Sequence, residues 1–193
     1  TEASNTIITS TNGTTWTERT CSALSGFGVI KIIHDGTTYI LACWNRIYDP
    51  IQIMASGDLT DNFTTATFNS AKNAGSQTTQ IEYNSNAIII VTNQIKIFYS
   101  TDGGANFSDT GIDCIYKIFK INDTLFGIGD TVVYSSDGAN WTTADLSKLS
   151  SAYVPSSSVL YDGYAYNQSE NMILLSSGKK IICSYDGGLT FEH

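Results

Sequence analysis

A short serine-to-aromatic box recurs five times along this chain. It reads S-T-N-G-T-T-W from Ser10, S-G-D-L-T-D-N-F from Ser56, S-T-D-G-G-A-N-F from Ser100, S-S-D-G-A-N-W from Ser135 and S-Y-D-G-G-L-T-F from Ser184. The closing aromatics, Trp16, Phe63, Phe107, Trp141 and Phe191, stand 47, 44, 34 and 50 residues apart. A period of roughly 40–50 residues is the length of one four-stranded propeller blade. Such a repeat constrains architecture more than any single residue, because each unit buries its apolar faces only against its neighbours.

An apolar, β-branched run precedes every box: N-T-I-I-T, I-Q-I-M-A, I-K-I-F-Y, T-V-V-Y and K-I-I-C. Short runs of this kind, bounded by turn residues, read as strands. Four of the five have a further hairpin ahead of them, as in V-I-K-I-I-H-D-G-T-T-Y-I-L-A-C, with Asp, Asn or Gly at the reversal. After each box a Thr-rich stretch, such as Thr64 to Phe68, supplies an outer strand. The order is A, B, C, box, D. Helical periodicity is absent apart from a turn or two over Asp145 to Ser151. The sequence therefore predicts an all-β fold, a β-propeller of about five four-stranded antiparallel blades filling residues 1–193 as a single domain. The blade pieces fall near 1–20, 27–68, 79–112, 115–146 and 159–193. Five C–box units against four A–B hairpins predict a partial or open ring. Its first blade is incomplete, or further strands come from a longer chain or from a partner.

Within a box each residue type has a structural task. Ser10 with Asn12, Ser56 with Asp58, Ser100 with Asp102, Ser135 with Asp137 and Ser184 with Asp186 supply side-chain acceptors for the amides of their own turn. The glycines permit backbone angles other residues resist. The aromatic folds back between strands, where burial is worth roughly 1.5–3 kcal/mol. All fifteen positions, the aromatics included, are expected to be structural.

The pattern S-x-D-(G)-G-x-[TN]-[WF] resembles the Asp-box, or bacterial neuraminidase repeat. That repeat occurs in propellers of sialidases, xyloglucan-active glycoside hydrolases, sortilin-type receptors, photosystem assembly factors, and bacterial surface and phage tail proteins. The resemblance runs from Ser10 to Phe191, with Asn12 in the place of Asp in the first box and Leu59-Thr60 in the place of both glycines in the second. It implies a sialidase-like propeller, a scaffold that enzymes and binders share. Sialidase chemistry, as the resemblance implies it, needs three arginines around the substrate carboxylate, plus a Tyr–Glu pair and an acidic Asp. Only Arg19 and Arg46 are present. A carboxylate-pair glycosidase has 18 acidic residues to draw on. Many stand in boxes or hairpin turns, among them Asp35, Asp58, Asp102, Asp123, Asp137 and Asp186, and no spacing marks a pair among the others. No catalytic residue is assigned.

A net charge of −8 argues against nucleic acid or an anionic membrane as partner. No apolar window approaches the roughly 18 residues of a membrane span. Cys21, Cys43, Cys114 and Cys183 show no CxxC spacing, and His34 and His193 are the only histidines, so neither a metal site nor a cofactor is expected. Four of the six N-x-[ST] sequons overlap boxes, where the turn already wants Asn or Thr, composition accounts for most of the rest, and glycosylation is not inferred.

In such a blade the A–B and C–D turns leave on one face and the B–C and D–A links on the other. The boxes occupy the first, so a ligand site is expected on the second, where loop lengths vary. The B–C loop W-N-R-I-Y-D-P and the D–A link from Thr142 to Ser158 bring forward Trp44, Arg46, Tyr48 and Tyr153 as a sugar- or protein-binding platform. The leading expectation is a non-catalytic recognition or structural propeller outside a cell or on a virion, binding a glycan or a protein. The chain is further expected to form a homo-oligomer or to continue in a longer polypeptide. The alternatives are a fragment of a glycoside hydrolase and a protein-assembly scaffold.

Overall fold

The computed structural model describes residues 6–45, 52–59, 63–68, 78–92, 96–113, 115–156, 161, 163–177 and 179–193. Among these residues the chain forms five successive sheets. Sheet 1 is the pair β1 (Thr6–Thr9) and β2 (Thr17–Thr20), joined by the first box. Sheet 2 runs β3 (Phe27–His34), β4 (Tyr39–Asn45), β5 (Gln52–Ser56) and β6 (Thr64–Thr65). In sheet 3, β8 (Thr78–Tyr83), β9 (Ile88–Thr92), β10 (Ile97–Ser100) and β11 (Asn106–Asp109) follow the same order, with β7 (Thr67–Phe68) added outside β11. Sheet 4 holds β12 (Ile115–Ile121), β13 (Thr124–Gly129), β14 (Val132–Ser135) and β15 (Thr142–Thr143). Sheet 5 is β16 (Gly163–Asn167), β17 (Met172–Ser177) and β18 (Lys180–Ser184), and a bridge from Cys183 to Glu192 stands where a fourth strand would. Each of the five boxes sits at a sheet's C–D turn.

The Thr64–Phe68 stretch departs from the expected single outer strand. Thr64 and Thr65 pair with β5, after which the chain crosses over, and β7 runs parallel to β11 of the next sheet. The same device recurs two repeats later. Beyond β15, Asp145 bridges in parallel to Thr190, donating its N–H to the Leu189 carbonyl at 2.8 Å and accepting from Phe191 N–H at 3.0 Å. The departing chain thus ties the outer edge of the following sheet. Over Asp145 to Ser151 there is no helix, only turn hydrogen bonds such as Leu149 N–H to Leu146. The helical turn among the described residues is a short 3-10 segment, Ser22–Leu24, linking sheets 1 and 2. No helix among them is long and apolar enough to cross a membrane.

Four cores lie in the seams between consecutive sheets. Leu41, Cys43 and Met54 of sheet 2 meet Ile7, Cys21 and Leu24. Ile40 and Ile53 meet Ile81, Ile90 and Phe98 of sheet 3, whose Ile89 and Val91 in turn meet Leu125 and Val133 of sheet 4. Phe126 and Ile128 then pack on Ile173, Leu175 and Ile182 of sheet 5. Strand β9, I-I-I-V-T, is buried throughout because its alternate residues serve two different seams. The Cys43 thiol sits in the first seam, where burial, then the neighbouring Cys21, pushes it up to about 12. It packs as a small apolar side chain.

Candidate functional site

The boxes consume their own hydrogen-bonding capacity. In the third, Ser100 Oγ donates to Asp102 Oδ1 at 2.7 Å and accepts from Gly104 N–H at 3.0 Å. Asp102 accepts from the Asn106 backbone at 2.9 Å and from its amide side chain at 2.7 Å. The fourth repeats this with Ser135, Asp137 and Asn140, and the fifth with Ser184, Asp186 and the Thr190 hydroxyl. In the first box Asn12 Oδ1 accepts from Thr14 and Thr15 N–H at 2.9 and 2.8 Å, so the geometry survives without the charge. In the second, Leu59 takes the left-handed conformation at φ 57° and gives its N–H to Ser56 Oγ. Hydrogen bonds from the Asn140 backbone and side chain hold the Asp137 carboxyl at about 2. At Asp186 burial pushes the other way, but donation from Thr190, Ser184 and Leu189 outweighs it and the carboxyl again rests at about 2.

Box glycines do more than permit a turn. A Cβ on Gly138 would run into Ile89 and lie 2.8 Å from Ala87, both of sheet 3. On Gly104 it would touch Ile40 of sheet 2, and on Gly188 it would collide with Phe126 of sheet 4. The second half of each of these boxes is pressed against the preceding sheet. The closing aromatics go the same way: Phe107 and Phe191 are fully buried, and Phe63 and Trp141 are half-buried in their seams. Trp16 breaks the expectation at 60 % exposed, since among the described residues no sheet precedes sheet 1. The A–B turns add further ties on the box face. Asn84, fully buried, donates to the Asp123 and Ser136 carbonyls of sheet 4 at 3.2 and 3.0 Å. Along the inner strands Lys31 donates to the Ile81 carbonyl at 2.7 Å and pairs with Glu82 at 3.0 Å.

Of the aromatic platform expected on the opposite face, the structure describes only a part. Trp44 lies near the end of β4 in sheet 2, while Arg46 and Tyr48 fall outside the described residues. Tyr153 belongs to the core between sheets 4 and 5, with sheet 3 standing between it and β4. Its ring stacks on His193 at 4.4 Å, and its carbonyl accepts from Tyr161 Oη at 2.8 Å. Packing accounts for Tyr153. Among the described residues no three His, Cys, Asp or Glu cluster as metal ligands would.

A different opening stands at the other end of the chain. Ile7, Ile8, Leu24, Phe27, Val29 and Ile32 line a largely apolar groove of about 460 Å³ between β1 and β3. Val29 and Ile32 are 39 % and 44 % exposed there. Their counterpart on the inner strand of sheet 3, Ile81, is fully buried, because sheet 2 covers it. Sheet 1 has no inner hairpin to cover β3, and β1 pairs on one side only among the described residues. The groove lies beside β1, on the side where the later sheets carry an A–B hairpin. The imbalance of five C–box units against four hairpins was its sequence signal; the site prediction looked instead to loop composition.

No family model and no curated protein matches the chain. Solved structures do. YCF48 bound to a D1 peptide superposes with a TM-score of 0.54 at 13 % identity, covering 86 % of this chain and 53 % of that one. Yeast RCC1 (Prp20), bound to Kap60, gives 0.57 at 9 %, covering 90 % and 47 %. YCF48 from Cyanidioschyzon merolae gives 0.52 at 9 %, covering 86 % and 58 %. These are built of four-stranded antiparallel sheets, the form that sheets 2 and 4 take here. The fold is a β-propeller. This propeller spans about half the length of these three structures.

Proposed function

We propose that this propeller is a non-catalytic protein-recognition module or scaffold whose groove between β1 and β3 takes an extended segment of a partner. The single observation that carries this reading is the open β1 edge beside an apolar floor of Leu24, Phe27, Val29 and Ile32. A segment pairing with β1 satisfies its backbone on that edge and drops alternate side chains onto the floor, as in strand addition generally. Support comes from the similar propellers, which were solved with a D1 peptide or with Kap60 bound. We assign the boxes to the Asp-box class on their serine, acid, glycine and aromatic pattern, and place the protein outside the cell or on a virion in keeping with that class.

The test is a random-peptide display selection run beside a glycan array and hydrolysis assays on the purified chain. The expected hits are extended peptides with alternating apolar residues, bound without turnover. Val29→Asp or Ile32→Asp, at positions already exposed, should weaken them about tenfold or more by burying a charge against the docked segment. Glycan binding abolished by Trp44→Ala and indifferent to Val29→Asp would replace this reading with the loop-face one, and turnover of a glycoside would overturn the non-catalytic assignment.

A further inference from the structure

Two positions of the box are left over by its structural work, and only the fifth box fills both with large apolar or aromatic side chains. The residue after the box serine is Thr11, Gly57, Thr101, Ser136 and Tyr185 in turn, and it is exposed in all five boxes, wherever the sheet stands in the stack. Two residues before the closing aromatic stand Thr14, Asp61, Ala105, Ala139 and Leu189. Tyr185 and Leu189 are 59 % and 48 % exposed, and neither belongs to a seam core. Single exposed apolar residues are ordinary on a surface. Here two stand on one turn, and one of them walls a cleft.

That cleft, of about 290 Å³, is lined by Lys148, Tyr185, Asp186, Thr190 and Glu192. It lies between the fifth box and the link that leaves sheet 4. Backbone hydrogen bonds tie its two walls together, Asp145 N–H to the Leu189 carbonyl and Phe191 N–H to the Asp145 carbonyl, so the opening is preorganised. Asp186 spends its oxygens inside the box, on Ser184, Leu189 and Thr190. Lys148 and Glu192 meet at 3.4 Å with side chains 58 % and 44 % exposed, a weak surface pair that a ligand can open.

We propose that this cleft binds a neutral saccharide unit, with its apolar ring face on Tyr185 and its hydroxyls shared between the Lys148 ammonium and the Glu192 carboxylate. The lining decides the class. Two carboxylates against one ammonium disfavour an acidic sugar. A wholly apolar ligand would strip water from Lys148 and Glu192 without replacing it. Small-ligand clefts begin near about 300 Å³, so the space suits one sugar ring, free or at the end of a glycan. The cleft shares no residue with the groove between β1 and β3 and does not depend on the protein-recognition reading.

The experiment is ligand-observed NMR on the purified chain with a panel of neutral and acidic monosaccharides and their methyl glycosides, run beside a glycan array. Neutral saccharides should bind. Response to the free sugars alone would mark a free-sugar site, and array hits sharing one terminal sugar a glycan-end site; either supports the inference. Tyr185→Ser, which gives the fifth box the residue of the fourth, should raise the dissociation constant about tenfold or more. Tyr185→Phe should keep most of the affinity, because stacking needs only the ring. Lys148→Ala should weaken binding as well, whereas Val29→Asp in the groove should leave it unchanged. Thermal unfolding of the Tyr185 and Lys148 variants should not move, since both side chains are exposed. No saccharide bound by either method, a preference for acidic sugars, binding indifferent to Tyr185→Ser, or binding lost in Trp44→Ala overturns the inference. Peptide binding that persists in Tyr185→Ser separates its failure from that of the groove.

Discussion

At the scale of single residues, the box carboxylates behave as turn components, and their titration makes this measurable. Asp137 and Asp186 sit at about 2, below the ordinary 3.8, because their turns donate to the ionised form. A group depressed in the folded state stabilises it above the unfolded value, and that contribution disappears as pH falls through the folded one. The urea midpoint should therefore hold level from about pH 7 to 5 and fall from about pH 4 toward 2. Asp102 and Asp35 are lowered too and add to the same slope. Asp137→Asn should flatten part of that fall at a small cost at neutral pH, since Asn12 already performs the acceptor role in the first box. An acid limb unchanged in Asp137→Asn would mean that the carboxylate does not govern it.

At the scale of elements, the seams depend on close approach by the box, and a pair of glycine substitutions isolates that term. Gly138 and Gly13 both have positive φ, +78° and +72°. A Cβ on Gly13 meets nothing within 4 Å, whereas one on Gly138 meets Ile89 and Ala87. Gly13→Ala should cost only the left-handed strain of about 1–2 kcal/mol. Gly138→Ala should add overpacking of about 1–3 kcal/mol. Chemical denaturation of both variants measures the difference, and equal losses would show that the seam yields freely. The strands and turns of these elements were legible in the sequence, because runs such as I-I-I-V and the box serines carry period and turn chemistry locally. The glycine-to-seam contact was not, since it depends on what the preceding sheet places opposite. Nor was the split of Thr64–Phe68 between two sheets, because a Thr-rich run carries no mark of which edge it will join. The candidate groove was legible only as a missing hairpin in the count. Tyr153 of the loop platform packs against the core between sheets 4 and 5, a contact that a sequence does not display.

At the scale of the whole molecule, the sheets form a line in which each contacts chiefly its neighbours, so stability should vary along the stack as it does in other repeat architectures. Strand β9 is buried on both faces, and its flanking strands satisfy both edges. Strand β2 is exposed at every residue and belongs to a two-stranded sheet, the weakest sheet class on its own. Hydrogen exchange in the dilute chain should then be slowest in β4, β9 and β13 and fastest in β1 and β2, with β18 between them because one face of sheet 5 still packs on sheet 4. Uniform protection across the five sheets would mean a single cooperative unit and would remove the linear description.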